Sequence, residues 1–223
     1  MFPFGQAVRR LLVVLPALPV IALCTSCNGF FVSENSIETM AVSPTALILK
    51  AATSSASGDS YTLSASGTTV GGTTSDVTSA STWKTSDSTI ATVSSGDVTI
   101  ITTAANATAT ITATDGGQSA TCAVLTYTGT EPTAISLKFP STVTTTSVAV
   151  GATFKMTATA ALSGNSAYDI SDYVSWSSSS TSIATVDAYG NITTVAAGTF
   201  TITATATFAS DSVTETSTSF TVI

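Results

Sequence analysis

Thr199-Phe200-Thr201-Ile202-Thr203-Ala204-Thr205 sets an apolar side chain at every second position and threonine at the others. That is the two-residue period of a half-buried strand, one face towards a core and one towards water. Thr108-Ala109-Thr110-Ile111-Thr112-Ala113-Thr114 has the same pattern. Tyr61–Ala65 and Phe154–Ala158 also alternate, so Tyr61, Leu63 and Ala65 are expected on one face. Gly96-Asp97 and Gly190-Asn191 stand between short strand-like runs and read as hairpin corners. No helical period is sustained beyond the N-terminal leader. The fold class is therefore all-β.

The composition agrees. Of the 223 residues, 43% are hydrophobic, enough for a core, and only 9% are charged, against about a quarter in an average domain. Ser and Thr fill the surface instead, which suits half-buried strands. The chain has no histidine, so the commonest general base and metal ligand are missing. The net charge is −7, and the only arginine pair, Arg9-Arg10, lies in the leader. Such a chain is a poor partner for nucleic acid, which needs clustered cations.

The sequence repeats itself. Gly58, Tyr61, Leu63, Ala65, Asp76, Trp83, Ser86 and Ile90 to Val93 recur as Gly151, Phe154, Met156, Ala158, Asp169, Trp176, Ser179 and Ile183 to Val186, each pair 93 positions apart. Each copy fills roughly 90 residues, the size of a seven-strand sandwich. The organisation expected is a leader over 1–26, a tether over 27–36, one domain over 37–127, a linker over 128–130 and a second domain over 131–223. A linker that short favours end-to-end stacking of the two copies.

Asp169-Ile170, Val174-Ser175-Trp176, Ile183-Ala184-Thr185-Val186, Gly190-Asn191-Ile192 and Ala197-Gly198-Thr199 together resemble a bacterial Ig-like domain of group 2. Asp76-Val77-Thr78, Trp83, Ile90–Val93, Gly96-Asp97-Val98 and Thr110–Ala113 carry the same resemblance in the first copy. The resemblance implies two tandem immunoglobulin-like β-sandwich domains, like the stacked modules of invasin- and intimin-type adhesins. It implies a surface role and names no ligand. The first copy departs in having Asn106 near the place of Gly198, and three extra residues between Val98 and Ile111.

The leader joins Arg9-Arg10 to an apolar run from Leu11 to Leu23, interrupted by Pro16 and Pro19 and too short for a membrane span. Leu23-Cys24-Thr25-Ser26-Cys27 resembles a lipobox, which makes Cys27 the expected lipidation site and the membrane a partner through an N-terminal lipid. An ordinary cleaved signal is the alternative. Asn28 after Cys27 points to the outer membrane or cell surface. Cys122 then has no partner within the chain: it reads as a small buried hydrophobe or as half of an interchain disulfide.

Trp83 and Trp176 read as core residues of their sandwiches. Asp76 and Asp169 read as turn caps rather than Ca²⁺ ligands, since no dense carboxylate run accompanies them. Lys155 alternates with Phe154 and Met156, which predicts a solvated side chain rather than an isopeptide bond. No catalytic residue, metal site or cofactor is expected: serine has no base to activate it. Tyr168, Tyr173 and Tyr189 cluster in the second copy, as partner contacts or as cover for the core edge. The function expected is a non-enzymatic, exported surface lipoprotein acting as a structural or adhesive module, its partner a surface protein or polysaccharide. A carbohydrate-binding accessory module is the alternative.

Overall fold

The chain is seen in a computed structural model that describes residues 33–140 and 146–223. The leader and the tether up to residue 32 lie outside the described residues, and the expected lipidation site, Cys27, lies there with them. In the first half the strands are β1 (Ile37–Ser43), β2 (Ala46–Lys50), β3 (Ser60–Thr62), β4 (Ser64–Thr69), β5 (Thr74–Asp76), β6 (Thr82–Thr85), β7 (Ala91–Ser94), β8 (Asp97–Ile100), β9 (Thr108–Asp115) and β10 (Gln118–Tyr127). They form the sheets β1-β4-β5, β2-β10-β9-β6 and β3-β8-β7. In the second half come β11 (Ile135–Lys138), β12 (Ser147–Val148), β13 (Thr153–Lys155), β14 (Thr157–Leu162), β15 (Asn165–Asp169), β16 (Ser175–Ser178), β17 (Ala184–Val186), β18 (Asn191–Thr194), β19 (Gly198–Phe200), β20 (Ile202–Thr207), β21 (Ser212–Thr216) and β22 (Phe220–Val222), with a 3-10 turn at Ser171–Tyr173. Among the described residues no sheet mixes strands from the two halves.

The alternation in β9 is realised residue by residue: Ala109, Ile111 and Ala113 are buried, while Thr108, Thr110 and Thr114 face water. They pack with Leu47, Leu49, Leu63, Val98, Ile100, Cys122 and Val124 in the first core. The long runs do not stay in one sheet, however. Leu63 closes the β3–β8 ladder, its N–H donating to the Gly96 carbonyl in register, and Met156 closes the β13–β18 ladder in the same way, donating to the Gly190 carbonyl. The chain then passes from β3, paired with β8, to β4, paired with β1 and β5, and likewise from β13 to β14. Thr199–Thr205 divides in the same way. Phe200 pairs with Phe220 in one sheet, and Ile202 begins β20 in another. At the break Thr201 exchanges hydrogen bonds with Ser179.

An apolar seam joins the halves beside the short linker. Ala46–Leu49 and Val124–Tyr127 are buried on both faces of their strands. Leu47, Leu49 and Val124 point into the first core. Ile48, Leu125 and Tyr127 point the other way, into a cluster with Ile135, Leu162, Ile170, Val174, Ala206 and Phe208 of the second half. Tyr127 meets Phe208 edge to face, with ring centroids 6.1 Å apart. Burial of Ile48 and Leu125 contributes about 1.5–3 kcal/mol each. The linker is pinned beside this seam: Thr128 N–H donates to Ser163 Oγ (3.1 Å), and the Tyr127 hydroxyl donates to Glu131 Oε2 (3.3 Å).

Candidate functional site

Two local arrangements repeat in the halves and set the geometry around each tryptophan. In the first, Asp76 Oδ1 accepts the Thr78 N–H (2.7 Å), the Thr78 hydroxyl oxygen accepts the Ala65 N–H (2.8 Å), and the Thr78 carbonyl accepts the indole N–H of Trp83 (2.9 Å). In the second, Asp169 Oδ1 accepts both the N–H and the hydroxyl of Ser171 (2.9 and 2.6 Å), Ser171 Oγ accepts the Ala158 N–H (2.9 Å), and the Ser171 carbonyl accepts the Trp176 N–H (2.9 Å). A carboxylate, a hydroxyl and an indole are thus joined through one turn residue. The carboxylates serve backbone donors, as a local capping Asp does. Hydrogen bonds from the Thr78 hydroxyl and backbone hold the Asp76 carboxyl below the usual range. Thr78 and Ser171 are the joints of this arrangement. Their signal in the sequence was an Asp followed two positions later by a hydroxyl residue.

Both indoles are half-buried and packed against core clusters, Trp83 on the first and Trp176 on two clusters of the second half. The lysines Lys50, Lys84, Lys138 and Lys155 are all exposed. Cys122 is fully buried, and burial pushes its thiol up to about 12, far from the thiolate that oxidative pairing needs.

Of the three tyrosines singled out, Tyr189 is 59% exposed, while Tyr168 and Tyr173 are half-buried against the seam cluster. The structure brings Tyr173 and Tyr189 together in one depression with Thr108, Thr110 and Asp172, and leaves Tyr168 out of it. Burial raises the Tyr173 phenol, a hydrogen bond with Thr108 opposes that, and the Asp172 charge adds to it. Next to the depression runs a larger groove of about 740 Å³ between the halves, with Thr45, Thr121, Ser175, Trp176 and Asp187 among its walls. The Thr45 and Ser175 hydroxyls meet across it at 3.2 Å. Asp187 fixes the loop that carries Tyr189: its carboxylate accepts the Tyr189 N–H (2.9 Å), the Asn191 N–H (2.9 Å) and the Asn191 side-chain amide (2.8 Å). Slight burial pushes the Asp187 carboxyl up, but these bonds and the Lys155 charge bring it below the ordinary value. This groove was not legible in the sequence, because it joins Thr45 to Ser175 across 130 positions.

Known proteins resemble this chain over parts of its length. Ice-binding protein 1 of Shewanella frigidimarina (strain NCIMB 400) is 34% identical over 140 residues, 63% of this chain. The chain spans only 16% of that relative's length. Among solved structures, the S-layer protein SbsC, domains 5-6, shares 19% identity over 84% of this chain and 97% of that one, with a TM-score of 0.34. A mouse clustered PcdhgC3 EC1-3 structure shares 16% over 83% of this chain and 68% of that one, with a TM-score of 0.29. The family model of the bacterial Ig-like domain (group 2) matches residues 139–217. With strands and corners of a β-sandwich over the same stretch, residues 139–217 belong to the bacterial Ig-like domain family, group 2.

Proposed function

We propose that this chain is a non-enzymatic, surface-exposed structural or adhesive module, exported and tethered to a membrane by a lipid on Cys27. The observation that carries the reading is the Ig-like domain at 139–217, joined to the first half by an apolar seam. Such a pair presents loops on a rigid scaffold, which is where binding residues concentrate. A relative in which the likeness occupies a small part of a longer chain supports a modular role. The bipartite leader supports export, and Ser26-Cys27 supports lipidation. The two copies at 37–127 and 131–223 are the units of this module.

Protease treatment of intact producing cells, followed by membrane fractionation, tests the proposal. The wild-type chain is expected in the membrane fraction and open to external protease, and Cys27→Ala is expected to release it. A protein that resists external protease until the cells are lysed overturns surface display. Equal membrane retention of Cys27→Ala overturns the lipid anchor. The second reading, a carbohydrate-binding accessory module, is favoured by the groove beside Tyr189.

A further inference from the structure

We propose that the groove between the two halves binds an uncharged polysaccharide segment, seated across the exposed ring of Tyr189. The inference deepens the carbohydrate reading above and rests on it. Surface display is tested separately by proteolysis, so either can fail while the other stands.

The groove's volume, about 740 Å³, falls within the range of ligand sites, about 300–1,000 Å³. A second depression of about 240 Å³ adjoins it and shares Thr110, Ala123, Asp172 and Tyr189 with it. The concave surface therefore continues past the Tyr189 ring on both sides. That suits a chain of several sugar units better than a single small molecule.

The chemistry of the walls selects the ligand class. Asp172 lines both depressions and Asp187 the larger one, and no lysine lines either. An anionic ligand meets two carboxylates in these walls and no lining cation. The Asp187 carboxylate is already engaged by three donors of its own loop. Asp172 is exposed, and among the described residues no hydrogen bond engages its carboxylate, which leaves a strong acceptor free for hydroxyl donors. Thr45, Thr110, Thr121 and Ser175 add hydroxyls that both donate and accept. Among the described residues no group of three or more His, Cys, Asp or Glu side chains is placed to hold a metal ion, so metal-bridged recognition has no support here. What remains is a ligand rich in hydroxyls with apolar C–H faces.

Tyr189 supplies the apolar partner. The residue is 59% exposed, while its backbone is held by the Asp187 turn. A backbone fixed before binding leaves less conformational freedom to lose when a ligand stacks on the ring. The seam of Ile48, Leu125 and Tyr127 keeps the two walls in one relative position, so the groove is preformed.

Titration of the full-length chain with laminarihexaose, maltohexaose, cellohexaose and mannohexaose, beside hexagalacturonate as the anionic probe, tests this by calorimetry and by amide NMR. At least one neutral hexasaccharide is expected to bind, with shifts confined to residues around Asp172, Ser175 and Tyr189, and hexagalacturonate is not. Tyr189→Ala is expected to weaken binding about tenfold, roughly 1.4 kcal/mol, and Asp172→Asn by a smaller factor. Thr214→Ala, which lines neither depression, is the folded control and is expected to bind as wild type. The proposal is overturned if no neutral probe binds at millimolar concentration. It is equally overturned if hexagalacturonate binds as well as the neutral sugars, or if Tyr189→Ala, shown folded by its amide spectrum, binds unchanged.

Discussion

Gly190 packs its backbone so closely on Trp176 that a Cβ there would stand 3.0 Å from the indole Cζ2 and 2.5 Å from the Met156 carbonyl oxygen. Its φ of +80° is also one that a side chain rarely adopts. Gly190→Ala is therefore expected to destabilise by about 2–4 kcal/mol, from overpacking added to backbone strain. Gly72 has the same φ, with open space for 4 Å around the place a Cβ would take, so Gly72→Ala carries the strain alone, about 1 kcal/mol. Urea denaturation of both variants separates the two effects. Equal losses would mean that the contact with the indole contributes nothing.

The seam predicts how the halves unfold. Leu125→Ala and Ile48→Ala are each expected to cost about 2–4 kcal/mol and to lower the transition of both halves together. Calorimetry of the wild type should show one transition. A fragment ending at Tyr127 bares Ile48, Leu125 and Tyr127, and is expected to be less stable than the first half within the intact chain. Two well-separated transitions, with the fragment melting at the intact chain's first one, would contradict the shared cluster.

Two pH limbs follow from named groups. Hydrogen bonds from the hydroxyls and backbones of Thr78 and Thr89 lower the Asp76 and Asp87 carboxyls. Depressed acids contribute stability that is present above their unfolded value, about pH 4, and lost as pH falls through the folded value. The melting temperature should be level from pH 5 to 8, as a rough window, and fall below it. Asp76→Ala should flatten part of that fall. On the alkaline side burial raises the Tyr127 phenol, with the Glu131 and Asp59 charges adding to it. Its contribution is complete below about pH 10 and is lost as pH rises towards the folded value. Tyr127→Phe should remove that limb; an unchanged alkaline profile would sink the assignment.

Cys122 gives a direct chemical check. Fully buried and raised to about 12, it should resist maleimide in the native protein at neutral pH and react fully in denaturant. The chain should run at the same size on gels with and without reductant, apart from any effect of Cys24 or Cys27. Rapid native labelling would show that the core around β10 opens.

Much of the fold was legible where one face of a strand is wet. In β9 the threonines and the apolar residues separate cleanly, and Gly96 and Gly190 mark the corners. The seam was less visible, although its signal was there. Ala46-Leu47-Ile48-Leu49 lacks alternation, the pattern of a strand covered on both faces. The linker length spoke only of proximity, not of which faces meet. The breaks at Leu63, Met156 and Thr201 escaped the periodicity because side-chain alternation continues while the backbone partners change. The tyrosines were noticed for their type, but only the fold separates Tyr168 from the depression that Tyr173 and Tyr189 share.

The parallel pairing of β2 with β10 bears on how the first half carries tension. Ala46–Lys50 runs alongside Ala123–Tyr127 through five paired positions, one strand near the start of this half and the other at its end. A pull between those ends drags the two strands past each other lengthwise, so their backbone bonds are strained all at once instead of being peeled open singly. In the second half the matching pair, β12 and β22, has two positions among the described residues. Under load along the chain the first half is expected to be the stiffer link, with rupture beginning in the second.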